Sequence, residues 1–489
     1  MTAHKFKVIT GGSHTTRPLP FSAALDLGPR ELAGNMALLF AMSLLRAKRP
    51  TDLEDPHSQI WINERTGFTL HELLCELRNL SWFEARALPS FDLPPVAHDV
   101  ANGDAKSKRR QASWNDDGQL TLRTIFRGGL GFSENAPRLS PIFQLDTEVS
   151  ETGGYMPPLS ETSDMSSWLS WCAAHSGASL RPQCDQVQPE IQSLGHLSEY
   201  IHQAMPSRLF HNAALDALAR GAEVDHGLCP DYPASHSWNG PRILNLMAKA
   251  EQQAQRLSTD NMMRNRRHYH RPPVTAARMS VHLACQDMSS DKNDTFRQAA
   301  DELADAAPNL LHWYTQAQDV MRGPQTIEPA LFLPLSGTGN APLHPSDFTS
   351  TVMIAGALGT LIKAVFETSP EALRPVRDQG PDRHLEADID QLVANISLAR
   401  LVAGGHFPAE NYQDLRLGQT IALHLLRDTL GQENRSTQLS FRDFDGRRLT
   451  LKAHPRSFGR GHVELLEDGR TIDWPHDKSM PRPNLTAIV

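Results

Sequence analysis

The chain has few cysteines, and none of them forms a paired pattern. Five are scattered along the 489 residues, with no C-x-x-C spacing, at positions 75, 172, 184, 229 and 285. An odd, scattered set of cysteines argues against a disulfide framework and against a zinc-ribbon site, and it is typical of a reducing compartment. Residues 1–17 contain no apolar core of the signal-peptide type, so we expect a cytoplasmic protein.

Long apolar runs and an excess of positive charge are also missing. The longest apolar run, residues 352–366, is too short to cross a bilayer and contains Lys363. The formal net charge is −8, which argues against general binding to nucleic acid or to an anionic membrane. We interpret the basic run 106–110 as part of a solvated loop spanning residues 89–118, with a nucleic-acid patch as the less favoured alternative.

Several common catalytic motifs are absent. No HExxH, P-loop or EF-hand pattern occurs, and Gly337-Thr338-Gly339 lacks the third glycine of a dinucleotide-binding loop. Ser336 has Pro334 where a nucleophile elbow requires glycine. The candidate functional residues are therefore isolated polar residues on apolar segments.

Apolar residues at helical spacing dominate the chain. They predict helices over residues 29–46, 69–82, 191–205, 207–219, 241–263, 294–322, 351–367, 386–402 and 412–430. Residues 121–132 and 139–145 read as extended, and residues 438–450 as a hairpin that turns at Asp445-Gly446. The predicted class is mainly α, with helices in bundles, short peripheral strands and long loops. We expect one large helical domain over residues 1–489, comprising N-terminal helices and wrapping loops (1–188), a bundle carrying the pocket (189–455) and a tail (456–489).

Two residues near the end of the helix predicted over 386–402 are candidates for an anion pocket. Arg400 follows Ile396 by four positions and Val393 by seven, which places it on the apolar face. A buried arginine is costly unless it meets an anion, so it forms either an internal salt bridge or part of an oxyanion site. His406 lies just past the same helix and is either a packed or capping histidine or a ligand.

Two further stretches offer positions for the rest of such a pocket. Arg271 ends a basic cluster, residues 264–271, and the following prolines hold its position; the alternative is a solvated basic turn. Ser346 and Asp347 precede an apolar helix closely enough for either to be its N-cap. A helix N-terminus is also a favourable seat for an oxyanion.

Short segments in a consistent order resemble the vanadium-dependent haloperoxidases, in particular their bromoperoxidase-like branch. The similar segments are Thr124-Ile125-Phe126-Arg127-Gly128, Asn239-Gly240-Pro241-Arg242-Ile243-Leu244, Asn395-Ile396-Ser397-Leu398-Ala399-Arg400 with Gly405-His406, and 441–449. They are similar to the family's "LFRG", "GGPHIL", "NISLGRNMAGVH" and "FTKFDGTTI". The resemblance implies a helical-bundle fold and an anion pocket, both shared with acid phosphatases of the PAP2 type.

The resemblance also implies a cofactor and its ligands. Vanadate would be held by Arg271, Ser346 and Arg400, and the metal would be bonded to His406. The family's upstream lysine falls on Met263 or, with a one-residue shift, on Arg264. Peroxide and halide would be the small-molecule substrates, and the protein would be a homodimer or a larger homo-oligomer without nucleic-acid or membrane partners.

One turn departs from the family pattern. The family's Ser-Gly-His is Ser346-Asp347-Phe348 here, so a carboxylate replaces a bare backbone N–H and a phenyl ring replaces the acid–base histidine. Two like charges about 4 Å apart cost roughly 4 kcal/mol at an effective dielectric of 20, so Asp347 would repel an oxyanion. The sequence does not decide whether His344, His268 or His270 replaces the missing histidine.

Three hypotheses therefore stand side by side. The first is a haloperoxidase that oxidises halide with peroxide at a vanadate on His406. The second is a metal-free relative that binds an organic metabolite or catalyses a non-redox step, with Asp347 as the base and the arginines holding an enolate or carboxylate. The third is a phosphatase with His406 as the nucleophile.

Overall fold

A computed structural model describes residues 27–85, 105–131, 137–145, 191–203, 206–228, 238–265, 271–285, 294–322, 331, 333, 350–368 and 384–475. The architecture is mainly helical with a few short strands, which confirms the predicted class. Within these ranges, no helix is both long enough and apolar enough to span a membrane.

The helices fall into an N-terminal set and a larger set from residue 194 onward. They are α1 Pro29–Leu44, α2 Leu70–Arg78, α3 Ala105–Ala112, α4 Leu122–Ile125, α5 Leu194–Gln203, α6 Pro206–Ala219, α7 Gly240–Asn265, α8 Pro272–Cys285, α9 Thr295–Ala306, α10 Pro308–Arg322, α11 Ser350–Val365, α12 Leu385–Val402 and α13 Pro408–Glu433. Short 3₁₀ helices span Pro50–Leu53 and His226–Leu228. The strands are β1 Gln59–Trp61, β2 Gly67–Thr69, β3 Thr437–Arg442, β4 Arg448–His454, β5 His462–Glu467 and β6 Arg470–Ile472.

Helix α11 lies at the centre of the core. Its sequence is apolar on every face, and all residues from Val352 to Val365 are buried, as expected of a helix surrounded by others. It packs against α13, α7, α12 and α6. Its crossing with α13 is close because small residues meet there: a Cβ at Gly356 would lie 2.3 Å from the Leu415 carbonyl oxygen.

The core also encloses a charged pair. The Lys363 ammonium on α11 donates to Asp390 of α12 at 2.6 Å and lies 4.1 Å from the centre of the Phe444 ring. Loss of one partner would leave the other charge buried and unpaired, which is strongly destabilising. The pair therefore fixes how α11 and α12 face each other.

The basic run at residues 106–110 is not a loop, so that part of the prediction is wrong. It forms α3, and its side chains bind the protein. Arg109 forks over the fully buried Glu31 carboxylate with N–O distances of 2.6 and 3.0 Å. Arg110 donates to the carbonyl oxygens of Trp82 and Ser81, both at 2.9 Å. Partners distant in sequence therefore order a segment whose composition alone is typical of a solvated loop.

The two segments predicted as extended contain short helical turns instead, and no strand is found in their described residues. Thr121 and Thr124 form a reciprocal cap at the start of α4, with the Thr121 hydroxyl accepting the N–H of Thr124 at 3.3 Å. Residues 142–145 also form a helical turn. The β-branched and aromatic residues in these segments favour strands only weakly, and local capping outweighs that preference.

Prolines divide the helices differently from the prediction. The single helix predicted over 294–322 is two helices, because Pro308 starts α10 after Ala307 leaves the helical conformation with φ −133°. Pro272 begins α8, a helix the sequence reading did not include. Proline suits a first helical position because the missing N–H would have no intrahelical partner there.

The predicted hairpin is present and belongs to a four-stranded antiparallel sheet. Strands β3 and β4 pair from Thr437↔Ala453 to Arg442↔Arg448, and β5 and β6 extend the sheet in sequence order. Gly446 in the turn has φ +82°, a conformation that glycine adopts without steric cost. The sheet buries Leu439 and Leu451 against the helices.

Asp443 at this turn is expected to make the protein less stable as the pH rises. Its Oδ1 accepts the N–H groups of Asp445 and Arg447 at 2.9 and 2.8 Å, and burial raises its pKa to about 6. Since this folded-state pKa lies above the unfolded value, the stabilising contribution is present below about pH 4 and is lost as the pH rises through about 6. Asp443→Asn keeps an acceptor oxygen, so it should add about 1–3 kcal/mol to the free energy of unfolding at pH 7.5.

Urea denaturation at pH 4.5 and 7.5 measures this effect. Asp443→Ala is the matched control, because it removes the acceptor and should destabilise the protein at both pH values. If the free energy of unfolding changed between the two pH values by the same amount in Asp443→Asn and in the wild type, the Asp443 carboxyl would not be the source of the pH dependence.

Candidate active site

A sharp turn between α12 and α13 brings Arg400 and His406 together. Helix α12 ends at Val402, Gly404 adopts φ +69°, and α13 begins at Pro408. This reversal places a guanidinium Nη2 of Arg400 in hydrogen-bonding contact with Nε2 of His406. Because guanidinium only donates, the Nε2 of His406 must be the acceptor in this contact.

The other ring nitrogen of His406 faces a carboxylate. Its Nδ1 lies 3.5 Å from Oε2 of Glu410, and each of the two side chains is only 1 % exposed. The same Oε2 accepts the N–H of Phe407 at 2.8 Å, which holds the carboxylate at the first turn of α13. The arrangement assigns the proton to Nδ1 and leaves the Nε2 lone pair for a partner on the Arg400 side.

Arg400 is set up to receive an anion. Burial lowers its pKa to about 10, partly offset by the negative charges of Asp414 and Glu410. Its Nε is fully enclosed and has no hydrogen-bond acceptor among the described residues. One guanidinium nitrogen of Arg400 contacts a histidine, and another has no acceptor among the described residues. This arrangement is more typical of a site that binds an oxyanion than of a completed internal salt bridge.

His202 is a residue of this neighbourhood that the sequence reading missed. It lies in the last turn of α5, which packs against α12. Burial lowers the pKa of His202, and the positive charge of Arg400 lowers it further. The lowered pKa favours the neutral imidazole, which can accept a proton. Only the packing of two helices separated in the chain reveals it.

The remaining sequence-predicted residues have separate positions. Arg271 directly precedes α8, is half-buried, and has a pKa lowered by burial. Arg264 lies in the last turn of α7. Ser346, Asp347 and Phe348 lie outside the described residues, as do His268, His270 and His344.

Two buried polar side chains flank the basic cluster. Both amide atoms of Asn261, on α7, lack hydrogen-bond partners within the described part of the chain, and so does the hydroxyl of Thr275, on α8. Asn261 is three positions before Arg264 and Thr275 is four after Arg271, so each lies about one helical turn from a candidate ligand. Buried polar groups normally find a partner, so these two mark a place where a polar ligand or water is expected.

No protein-family model matches the chain. A vanadium-dependent bromoperoxidase from Corallina pilulifera is 21% identical over 279 residues, covering 53% of this chain and 46% of the relative. The Corallina officinalis vanadium-dependent bromoperoxidase is 20% identical over 475 residues, covering 86% of this chain and 74% of the relative.

A solved structure extends the similarity to the fold. The homohexameric structure of the second vanadate-dependent bromoperoxidase of Ascophyllum nodosum matches with a TM-score of 0.63 and 14% identity, covering 94% of this chain and 76% of that one. The chain is therefore similar to vanadium-dependent bromoperoxidases, weakly in sequence and more clearly in fold. It spans about half the length of the Corallina pilulifera relative, 46%, so activity and assembly of the whole relatives are not transferred with the fold.

The described half of the pocket fits an oxyanion such as vanadate. Arg400 has an enclosed Nε–H without an acceptor among the described residues. The Nε2 lone pair of His406 accepts from Arg400 and would be released by a ligand that replaces this contact, while Nδ1 faces a carboxylate. Metal-binding histidines commonly donate their second N–H to a carboxylate, which orients the ring and raises its basicity. The donor set therefore suits a negatively charged oxo-metal group.

Proposed function

We propose that this protein is a vanadate-dependent haloperoxidase whose cofactor binds at Arg400 and His406. The observation that carries the proposal is the enclosed guanidinium of Arg400, which contacts the His406 imidazole and has a further N–H without an acceptor. The similarity to bromoperoxidases supports bromide as the halide and hydrogen peroxide as the oxidant.

The chain's residues have distinct tasks in this proposal. His406 would bond the metal through Nε2, and Arg400 and Arg271 would hold the vanadate oxygens. Bound vanadate would activate hydrogen peroxide, so that bromide, peroxide and one proton yield hypobromous acid and water. Glu410 holds the Nδ1 proton of His406 and so keeps the lone pair on Nε2. That lone pair accepts from Arg400 in this structure and would turn to the metal once vanadate oxygens take over the Arg400 N–H groups. The neutral imidazole of His202 offers a proton-transfer group near Arg400.

We also propose a homo-oligomer and a cytoplasmic location. The homohexameric Ascophyllum nodosum structure supports assembly. The odd number of cysteines and the lack of any C-x-x-C spacing among them support a reducing compartment. Size-exclusion chromatography with light scattering tests the first, and it would contradict the proposal if the protein were a monomer at micromolar concentration.

Thermal unfolding with orthovanadate, together with bromination of monochlorodimedone by peroxide, tests the function. A ligand that binds only the folded state at 100 times its Kd stabilises by about 2.7 kcal/mol, which gives a clear rise in Tm. We expect that rise, retention of vanadium through dialysis, and bromination that requires vanadate. Absence of both retained vanadium and turnover above background would overturn the proposal.

The same samples separate the other hypotheses. Hydrolysis of p-nitrophenyl phosphate without vanadate, and its inhibition by added vanadate, would favour the phosphatase. A protein that neither hydrolyses the phosphate ester nor binds vanadate would favour the metal-free relative. Under the haloperoxidase proposal, phosphate competes with vanadate for the same site without supporting bromination, because both are tetrahedral oxyanions.

A further inference from the structure

A second cleft lies away from Arg400 and His406. It has a volume of about 370 Å³ and is formed by α3, the turn after it, Gly131, the first turns of α13 and the β3–β4 turn. The residues that decide its chemistry are Lys108, Trp114, Asp116, Tyr412, Asp445 and Arg447. None of the three proposed vanadate-binding residues, Arg271, Arg400 and His406, lines it, so the cleft is a separate candidate site.

Tyr412 presents a neutral hydroxyl in this cleft. Burial raises the pKa of Tyr412, and the guanidinium of Arg416 lies 3.5 Å from the centre of its ring on the protein side. None of the described residues forms a hydrogen bond with the Tyr412 hydroxyl. The phenol is thus held in place by stacking and keeps its donor for a ligand.

Several N–H donors in and behind the walls of the cleft have no hydrogen-bond acceptor among the described residues. The indole N–H of Trp114 and the Nε–H groups of Arg127 and Arg416 are buried and lack acceptors among the described residues. Arg127 lies directly behind the wall, because its Nη1 donates to the carbonyl oxygens of Gly131 and Trp114 at 2.9 and 3.4 Å. Trp114 lines the cleft, whereas the Arg127 and Arg416 guanidinium groups do not. The positive charge behind the wall favours a negatively charged or acceptor-rich occupant.

The cleft's own carboxylates limit how much negative charge it accepts. Asp445 is paired with Arg416, and Arg447 contacts Glu467 at 2.5 Å. Lys108 lines the cleft as a half-buried ammonium whose charge also acts on Asp445. Asp116, also in the lining, is exposed. One ammonium and a neutral phenol suit a single negative charge, because a dianion would be repelled by Asp116 and Asp445.

We propose that this cleft binds a small aromatic carboxylate. Its ring lies against the side chains of Trp114 and Tyr412, and its carboxylate accepts from the Lys108 ammonium and the Tyr412 hydroxyl. Aromatic side chains provide large, rigid contact surfaces, and a charge-assisted hydrogen bond is stronger than a neutral one. The proposal does not depend on vanadate or on the reaction at His406.

Benzoate titrated into the full-length protein without vanadate tests this inference. Isothermal titration calorimetry should show one site per chain for the wild type, about tenfold weaker affinity for Lys108→Ala and several-fold weaker affinity for Tyr412→Phe. Lys249→Ala, an exposed lysine on α7, is the matched control and should bind as the wild type does. Lys108→Ala should fold normally, because Arg109 and Arg110 hold α3 to the protein.

Three results would overturn the inference. They are no binding of benzoate at millimolar concentration, equal affinity in wild type and Lys108→Ala, and displacement of benzoate by an equal concentration of inorganic phosphate. Benzyl alcohol has the ring without the charge and should bind far more weakly. Because no vanadate is present, failure here leaves the proposed haloperoxidase function standing, and the vanadate experiment can fail while benzoate binds.

Discussion

Gly418→Ala is expected to destabilise the protein by about 3 kcal/mol or more, because α11 and α13 touch at this position without a side chain between them. A Cβ on Gly418 would lie 2.1 Å from the Met353 carbonyl oxygen and 2.8 Å from the Ala357 nitrogen. Both obstacles are backbone atoms of the central helix, so neither can rotate away. The two helices would have to separate, and the core between them would lose packing.

Gly431→Ala is the matched control on the same helix. A Cβ there would lie 3.4 Å from the Gly461 carbonyl oxygen and 3.9 Å from Cγ2 of Val463, both ordinary contacts. Alanine is the better helix former by up to about 1 kcal/mol, so this variant should be neutral or slightly stabilised. Urea denaturation monitored by circular dichroism measures both variants. Equal midpoints for Gly418→Ala and Gly431→Ala would show that the helix crossing is not held at backbone contact.

The crossing also matters for the active site, because α13 begins with the residues that orient His406. Glu410 lies two turns before Gly418 on the same helix. A shift of α13 relative to α11 would move its carboxylate relative to the His406 ring. A packing residue far from any ligand therefore controls the geometry of the proposed cofactor pocket.

The helical part of the fold was predictable because its signals are local. The apolar spacing of α11 and α12 depends on neighbouring residues, and so does the Asp445-Gly446 turn of the sheet. Helix α3 was missed because it is ordered by Glu31, whose distance in sequence from Arg109 is 78 residues. Charge composition describes what a segment does in water and does not reveal a distant buried partner.

The site residues also divide into those with a local signal in the sequence and those whose role depends on distant packing. Helical spacing and proximity in sequence singled out Arg400 and His406 together, since six residues and one turn connect them. Glu410 had a readable signal that was passed over: it stands three positions after Phe407, where a first-turn glutamate accepts a backbone N–H. His202 had none, because its relation to Arg400 arises only when α5 packs against α12.

His406→Ala should abolish vanadate binding, and Glu410→Gln should weaken it by about 10- to 100-fold, which is about 1.4–2.7 kcal/mol. The first variant removes the ring nitrogen that is in hydrogen-bonding contact with the Arg400 guanidinium. The second keeps the shape of the side chain and its acceptor for the Phe407 N–H, but removes the negative charge 3.5 Å from Nδ1 of His406. The imidazole would then be a weaker base and less firmly oriented.

Equilibrium dialysis with vanadium quantified by mass spectrometry measures the affinity of each variant. Asp428→Asn removes a carboxylate from the same helix about 27 Å further along its axis and should bind as the wild type does. If Glu410→Gln bound vanadate as tightly as Asp428→Asn, the carboxylate would have only a capping role. If His406→Ala retained wild-type affinity, the oxyanion would be held elsewhere. Arg271 with the buried Asn261 and Thr275 would be the next group to replace, because the two buried side chains lie about one helical turn from Arg264 and Arg271 and lack hydrogen-bond partners among the described residues.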